Sequence, residues 1–331
     1  MFNNKTILIT GGTGTFGSSL LSYIINNYKP KKIIIFSRDE FKQFHLSEKL
    51  KHHKNFNKIR FFLGDVRDYQ RLLIAFKDVD FVIHAAALKY VDIAEYNPIE
   101  FVNTNILGSQ NISLASIEAG VKKTILLSTD KAVNPVNLYG STKLVAEKLI
   151  ISSNNYTTKG KTKLSVVRYG NVFNSRGSVI PKFLSLKDRN KNLPVTDKNM
   201  TRFVLTVQNA IKFVIDCLDI MQGGELFIPK CKTVKIIDLA KAISKKKELI
   251  IGKRPGEKIH ETLISRDESA FFIEFKNFYC LISKSNTKSH KKFFTNKFGK
   301  GKLIKPFDYS SNNDNFLSIK DIERILRQIT L

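Results

Sequence analysis

Cysteine is scarce in this chain of 331 residues. The three cysteines, Cys217, Cys231 and Cys280, are widely spaced and form no C-x-x-C pair, and no histidine stands beside them at the spacing of metal ligands. The sequence therefore predicts neither a disulfide framework nor a zinc site. We expect no bound metal and a reduced, cytoplasmic environment.

Long apolar runs are also missing. No window approaches the roughly 18 uninterrupted apolar residues of a membrane span, so we expect no membrane insertion. The N-terminal residues MFNNKTILIT run directly into a predicted strand, and for this reason we expect no signal peptide. The length is typical of one large domain or of two units that share an interface.

Acidic residues are few: 29 Asp and Glu stand against 55 Lys and Arg, which gives a formal net charge of +26. This charge permits a polyanionic partner such as nucleic acid. The basic residues are scattered, however, and no basic helix with interleaved aromatic residues occurs. We favour a lysine-rich solvated surface that steers anionic substrates, and we expect no nucleic-acid partner.

Short β-branched runs alternate with segments of helical period in the first half of the chain. The alternation predicts a doubly wound parallel sheet of the Rossmann type with a smaller, discontinuous second domain. Residues 1–172 and 205–232 are the predicted cofactor-binding domain, and residues 173–204 and 233–331 the predicted substrate-binding domain. The predicted strands are TILIT, KIIIF, IRFFL, DFVIH, TILLS, LSVVRYGNV and ELFIP.

The first predicted strand is followed at once by the turn GGTGTFG and then by an amphipathic helix. Gly11, Gly14 and Gly17 form the pattern G-x-x-G-x-x-G. Such glycines allow a tight turn, a close approach of backbone N–H groups to a diphosphate, and close packing of the helix on the strand. This context predicts a dinucleotide site.

The end of the second strand indicates which dinucleotide binds. An NAD enzyme carries Asp or Glu about 20 residues beyond the glycines, whereas this chain has Ser37 and Arg38 there. A hydroxyl and a guanidinium suit a 2′-phosphate, so we expect NADP, with Lys42 as further support. The alternative is an Arg38 that faces solvent and pairs with Glu40. We interpret His84, at the end of the fourth strand, as packed rather than catalytic.

The segment STDKAVNPVNLYGSTK, residues 128–143, places Tyr139 and Lys143 on one face of a helix. We expect the charge of Lys143 and of an oxidised nicotinamide to lower the pKa of the phenol from about 10 toward neutrality. A tyrosinate there can remove a hydroxyl proton while hydride leaves the same carbon, and Thr129 can share that proton. The segment predicts oxidation of a carbohydrate hydroxyl.

The motifs together resemble the extended short-chain dehydrogenase/reductase superfamily, and within it the soluble inverting UDP-N-acetylglucosamine 4,6-dehydratases that begin pseudaminic acid and related pathways. The resemblance covers almost the whole chain. Membrane-anchored relatives have methionine in the place of Tyr139, and Tyr90 stands here where histidine is frequent. The other motifs that carry the resemblance are SRDEFKQ, GDVRD, HAAALKYVDIAEYNP, TNILGS, VVRYGNV, SRGSVIP, MTRF, GGELFIPK, RPGEKIHE and DYSSNND.

The resemblance implies a reaction and a role for each catalytic residue. After oxidation at C4 of the sugar, Lys131 is implied as the base at C5 and Asp130 as the acid that protonates the hydroxyl leaving C6. Hydride then returns to C6, and C5 is reprotonated from the opposite face. In retaining relatives the position of Lys131 is a glutamate. The implied catalytic residues are Thr129, Asp130, Lys131, Tyr139 and Lys143.

The resemblance also implies the binding residues, a UDP-N-acetylglucosamine substrate and a homo-oligomer. The alternatives are a UDP-sugar 4-epimerase, which needs no acid and base for C6, and a non-catalytic NADP-binding protein. The predicted cofactor residues are Gly11, Thr13, Gly14, Thr15, Phe16, Gly17, Ser37, Arg38, Asp39, Lys42, Asp65, Val66, Ala85, Ala86, Lys89, Leu127, Ser128, Tyr139 and Lys143. The predicted substrate residues are Lys89, Asn171, Val172, Arg176, Ser178, Val179, Thr196, Arg202, Arg254 and Glu257.

Overall fold

The structure, a computed structural model, describes residues 1–158, 161–282, 287–299 and 301–330. The strands are β1 (Thr6–Thr10), β2 (Lys32–Ser37), β3 (Ile59–Leu63), β4 (Phe81–His84), β5 (Lys123–Thr129), β6 (Lys163–Tyr169), β7 (Asn171–Val172), β8 (Pro194–Val195), β9 (Thr201–Leu205), β10 (Leu226–Pro229), β11 (Lys232–Lys235), β12 (Leu249–Ile250), β13 (Thr262–Ile264), β14 (Phe272–Glu274), β15 (Phe278–Leu281), β16 (Lys302–Leu303) and β17 (Tyr309–Ser310).

Helices connect most of the strands of the first half. They are α1 (Thr15–Asn27), α2 (Glu40–Leu50), α3 (Tyr69–Ala75), α4 (Val91–Tyr96), α5 (Pro98–Phe101), α6 (Gly108–Glu118), α7 (Leu138–Ser152), α8 (Val179–Asp188), α9 (Val207–Ile220), α10 (Ile236–Ile243), α11 (Arg266–Ser269), α12 (Thr287–Phe298) and α13 (Ile319–Thr330). A π-helical segment, Val102–Leu107, joins α5 to α6, and a 3₁₀ turn, Asp130–Ala132, follows β5.

Within the described residues, ten strands form one sheet in the order β16-β14-β15-β10-β6-β5-β4-β1-β2-β3. In this order, the seven strands that run from β10 at one side to β3 at the edge are parallel to one another. Helices cover both faces: Ile7 on one face packs with α1, and Leu8 on the other packs with α3 and α6. Burial on both faces explains the nearly continuous apolar strands. The predicted doubly wound parallel sheet is confirmed.

A second unit stands beyond the carboxyl ends of β6 and β10. Its small sheet has the order β11-β9-β7, and helices α8, α10 and α13 pack on a separate apolar core that includes Phe183, Val195, Leu239 and Ile322. The chain enters this core from three separate segments. The unit is therefore discontinuous.

The predicted division of the chain differs from these sheets in two places. Residues 171–172 pair with β9 instead of extending β6. Strands β14, β15 and β16, which fall in the predicted substrate-binding domain, extend the large sheet because β15 pairs antiparallel with the edge of β10. That pairing satisfies the edge strand and buries Phe278 and Cys280. Residues 283–286, 300 and 331 of the predicted domain lie outside the described residues.

Within the described residues, every helix is too short or too polar to span a bilayer. In the same part of the chain, no group of His, Cys, Asp and Glu side chains could hold a metal ion. All three cysteines are buried and free.

Candidate active site

The glycine turn after β1 requires its glycines for geometric reasons. Gly11 has φ +63°, and a Cβ at this position would lie 2.8 Å from the backbone nitrogen of Ala86. A Cβ at Gly17 would lie 2.6 Å from the carbonyl oxygen of Gly11. The turn therefore brings backbone of β1, β4 and α1 into direct contact, and the start of α1 lies at the cleft.

The cleft beside this turn contains most of the predicted cofactor residues. Among the remaining ones, Phe16 packs partly buried against the apolar core. Sequence reasoning missed Thr104, a buried residue in the π-helical segment whose hydroxyl has no hydrogen-bond partner among the described residues. The residues that line the cleft are Gly11, Thr13, Gly14, Phe36, Ser37, Arg38, Asp39, Lys42, Gly64, Asp65, Val66, Ala85, Ala86, Ala87, Leu88, Thr104 and Arg176.

Ser37 and Arg38 stand together at the far end of this cleft. The Ser37 hydroxyl is 3.0 Å from the Thr13 hydroxyl, and Arg38 lies 3.7 Å from the Asp65 carboxylate. The alternative partner, Glu40, is not the one observed. Asp39 caps α2 by accepting a hydrogen bond from the Lys42 backbone nitrogen at 2.9 Å. Because the Lys42 side chain also bonds to Asp39, the pKa of this carboxyl falls below its usual range.

Arg176 lies in the cofactor cleft, although it was predicted to bind substrate. It lines the cleft together with Ser37, Arg38 and Lys42. The reason is a backbone contact: the Arg176 nitrogen donates to the Thr15 hydroxyl at 3.0 Å, so the loop after β7 folds back over the start of α1. The role of Arg176 in substrate binding stays a prediction.

Lys89, predicted to touch both cofactor and sugar, is tied to the same loop. Its ammonium donates to the carbonyl oxygen of Arg176 at 2.7 Å. Burial lowers the pKa of Lys89, and the nearby charges of Arg176 and Lys131 lower it further. Lys89 therefore lies between the cleft and the catalytic residues.

The predicted catalytic residues meet at the carboxyl end of β5. Thr129 ends the strand, and its hydroxyl donates to Asp130 Oδ1 at 2.9 Å. Lys131 Nζ donates to the same oxygen at 3.1 Å. A Cβ at Gly140 would collide with the Lys131 carbonyl oxygen, so this glycine lets α7 approach the turn closely and sets Tyr139 beside it. Four predicted residues are thus brought together.

Lys143 makes a different contact from the one predicted. Its ammonium donates to the carbonyl oxygen of Leu127 at 2.8 Å, and burial lowers its pKa to about 8. Burial raises the pKa of Tyr139 to about 12, and Lys131 is the cation that opposes this rise. The expectation that Lys143 and an oxidised nicotinamide together lower the pKa of the phenol stays a prediction. Among the groups of the protein itself, burial has the largest effect on this pKa and raises it.

Sequence reasoning also missed Glu261, whose carboxylate lies on the other side of Lys131. Glu261 Oε1 is 3.1 Å from Lys131 Nζ, and the residue is 2% exposed. Burial would lower the pKa of Lys131, but the two carboxyl groups of Asp130 and Glu261 hold it above its ordinary value. The pKa of Asp130 is raised by burial. The only sequence signal for Glu261 is its place at the end of RPGEKIHE.

A buried arginine links α7, the helix that carries Tyr139, to the segment after Glu261. Arg168, on β6, is fully buried and bonds both oxygens of Glu147 on α7, at 3.0 and 2.6 Å. Its other contacts are the Leu263 carbonyl oxygen at 2.9 Å and Glu268 at 3.0 Å. The position of α7 therefore depends on one desolvated charge network.

The predicted substrate residues border the catalytic cluster on the side of the second unit. Arg254 and Glu257 form an ion pair at 3.2 Å, in a loop that Asn137 holds through the Gly256 carbonyl oxygen at 2.8 Å. Arg202 lies 3.8 Å from Glu261, which places it beside the catalytic residues. Of the other predicted residues, Asn171 Oδ1 and Ser178 Oγ are buried without a hydrogen-bond partner in the described part of the chain, Thr196 contacts Met200, and Val172 and Val179 pack against the cores.

His84 is packed, as interpreted. It is fully buried between the hydroxyls of Thr10, at 2.7 Å, and Ser109, at 3.2 Å. Burial lowers its pKa to about 3, so the imidazole is neutral at physiological pH.

Comparison with known proteins places this geometry in a family. The family described as "Polysaccharide biosynthesis protein" matches residues 7–283. The chain belongs to this family. The matched region includes the glycine turn, the catalytic turn after β5 and Glu261.

Three similar proteins extend the comparison. A Campylobacter jejuni protein named "UDP-N-acetylglucosamine 4,6-dehydratase (inverting)" is 50% identical over 98% of each chain. A Rickettsia bellii protein named "UDP-glucose 4-epimerase" is 41% identical over 98% of this chain and 96% of its own. The X-ray structure of Pen from Bacillus thuringiensis has 38% identity and a TM-score of 0.90, with full coverage of both chains. The resemblance inferred from the motifs is confirmed.

Proposed function

We propose that this protein is an NADP-dependent UDP-N-acetylglucosamine 4,6-dehydratase that inverts C5. The observation that carries the proposal is that Thr129 and Lys131 both bond to Asp130 at the end of β5, beside Tyr139. Asp130 is the candidate acid, and Lys131 is the candidate base. The name of the Campylobacter relative supports the same reaction. The product would be a 6-deoxy-4-keto-L-sugar nucleotide for the pseudaminic acid or a related pathway.

The residues of the cleft fit a nicotinamide dinucleotide. Gly11 and Gly17 let the chain turn tightly beside the start of α1, and the unpartnered Thr104 hydroxyl can bond a ligand there. When bound, the cofactor supplies hydride transfer from C4 of the sugar and back to C6. Ser37, Arg38, Lys42 and Arg176 would hold a 2′-phosphate, and this set of a hydroxyl and three cations supports NADP over NAD.

The protein's own groups divide the proton transfers. Tyr139 and Thr129 take the proton of the C4 hydroxyl, and the charge of Lys131 favours the tyrosinate. A proton then moves from the Lys131 ammonium to Asp130 across their 3.1 Å contact, which leaves Lys131 neutral and Asp130 protonated. Neutral Lys131 removes the C5 proton, which the new C4 ketone acidifies, and Asp130 gives its proton to the hydroxyl that leaves C6 as water. Burial raises the pKa of Asp130, which favours its protonated form.

A second candidate is a UDP-sugar 4-epimerase. The Rickettsia relative with that name, 41% identical, favours it. An epimerase needs the C4 oxidation by Thr129 and Tyr139, but it needs neither an acid nor a base for C6. The two candidates therefore differ in what Asp130 and Lys131 do.

The deciding experiment is incubation of the purified protein with UDP-N-acetylglucosamine in deuterated water, followed by NMR. We expect a C6 methyl group, deuterium at C5 and a C4 ketone or its hydrate. Tyr139→Phe is the matched control, because it keeps the ring and removes the hydroxyl that starts the reaction. Clean conversion to the galacto isomer would contradict the dehydratase and favour the epimerase.

We also propose that the protein acts in the cytoplasm as a homo-oligomer. Ile93, Tyr96 and Ile99 on α4 and α5 are large apolar side chains that are more than half exposed. An exposed apolar surface of this kind supports contact between copies of a chain. Size-exclusion chromatography with light scattering measures the state directly.

A further inference from the structure

One buried carboxylate of the catalytic cluster has no part in the proposed reaction. Glu261 stands immediately before β13, in the segment that joins the second unit to the catalytic turn. Its Oε1 is 3.1 Å from Lys131 Nζ and 3.8 Å from Arg202 Nε. Its Oε2 is buried and has no hydrogen-bond partner among the described residues. Burying a carboxylate in this position lowers the free energy of unfolding unless a neighbouring cation stabilises its charge.

The backbone holds Glu261 in place independently of Lys131. Its nitrogen donates to the Ser311 hydroxyl at 2.9 Å, and the Ser311 nitrogen donates to its carbonyl oxygen at 2.8 Å. These contacts come from the chain after β17, far from the catalytic turn in sequence. The backbone of Glu261 is therefore held by contacts that do not involve Lys131, which is the condition for one residue to orient another.

We propose that Glu261 is a positioning residue, which holds the Lys131 side chain against Asp130 and determines the pH at which the Lys131 nitrogen loses its proton. The effect of Glu261 on the reaction rests on the proposed dehydratase function. The Lys131–Glu261 contact does not, since it is present in the fold. A base at C5 must be neutral, so the residue that stabilises the ammonium form limits the reaction at low pH.

The sign of the effect follows from the charges around Lys131. A carboxylate favours the ammonium form, so removal of Glu261 lowers the pKa of Lys131. In the pH profile of the dehydration rate, the rising limb that follows proton loss from Lys131 then moves to lower pH. Arg202 and Lys258 act in the opposite direction, because each is a cation close to the pair. The titratable or charged groups that face Lys131 are Asp130, Tyr139, Lys89, Arg202, Lys258 and Glu261.

The test is Glu261→Gln, which keeps the size of the side chain and removes its charge. We would follow the Lys131 signal in protein with ¹³C-labelled lysine, assigned by its loss in Lys131→Ala, while pH is varied. We expect the Lys131 midpoint to fall by about one pH unit or more. The rising limb of the dehydration rate should fall by the same amount, whereas a merely structural role would leave both midpoints in place.

Glu274→Gln is the matched control, because Glu274 pairs with Lys230 at 2.6 Å on the far antiparallel part of the sheet. Glu261→Asp keeps the charge and should return the midpoint toward that of the unchanged protein. It also keeps the test decisive if Glu261→Gln does not fold.

The NMR titration needs no turnover, so it separates this proposal from the proposed function. If the unchanged protein fails to dehydrate the sugar but the Lys131 midpoint falls in Glu261→Gln, the proposed function fails and the positioning role stands. An unchanged Lys131 midpoint in folded Glu261→Gln would overturn the positioning role. A midpoint that Glu261→Asp fails to restore would overturn it as well.

Discussion

The two ends of the cleft hold their charges in different ways. At the adenosine end, the side chains of Arg38 and Lys42 are 51% and 46% exposed. At the catalytic end, those of Asp130 and Glu261 are 1% and 3% exposed. Exposed charges are screened by water and salt and act nearly independently, whereas buried charges depend on one another. The adenosine end should therefore tolerate single changes that the catalytic end does not.

The largest expected effect is at Lys131. Lys131→Ala removes the implied base and leaves two buried carboxyl groups without their shared cation. We expect the rate of water loss to fall at least about 10³-fold, within the range for general acid–base catalysis. NMR of the C6 methyl group measures the rate, and retention of bound cofactor shows that the protein is folded. Lys148→Ala, which changes an exposed lysine of α7, should have no effect. Undiminished dehydration by Lys131→Ala would show that the base lies elsewhere.

The next effect concerns the support of the catalytic helix. Arg168→Met leaves the buried carboxylate of Glu147 without its arginine partner, and we expect the free energy of unfolding to fall by about 3–5 kcal/mol. Urea unfolding followed by circular dichroism measures it. The control is Lys122→Ala, which breaks a 2.7 Å pair with Asp80 in which the lysine side chain is 57% exposed. It should cost at most about 1 kcal/mol. Equal losses of unfolding free energy in the two variants would contradict the difference that we expect between buried and exposed charges.

The smallest effect is expected at the adenosine end. Arg176→Ala removes one of the cations of the proposed 2′-phosphate site, and we expect NADP affinity to fall about tenfold with little change for NAD. Isothermal titration at two salt concentrations measures this, and the loss should shrink at high salt because the site is exposed. Arg324→Ala, an exposed arginine on α13, is the control. If UDP binding weakens instead of NADP binding, the result would support the prediction that Arg176 binds the substrate.

Local patterns in the sequence were enough for much of the molecule. The parallel strands, the glycine turn and the Asp130–Lys131 pair were all predicted, because each depends on residues that are neighbours in the chain. The antiparallel extension β14–β16 was not predicted, since it depends on which edge of β10 is left unpaired. The place of Arg176 in the cofactor cleft was not predicted either, because it follows from one backbone contact with the Thr15 hydroxyl.

The sequence by itself determined the fold class, the family and the chemical groups at the end of β5. The tertiary structure decided the state of those groups. Burial raises the pKa of Tyr139, and Glu261 contacts Lys131 from a distant segment of the chain. Desolvation and Coulomb energies depend on distances in space, and spacing along the chain does not give those distances.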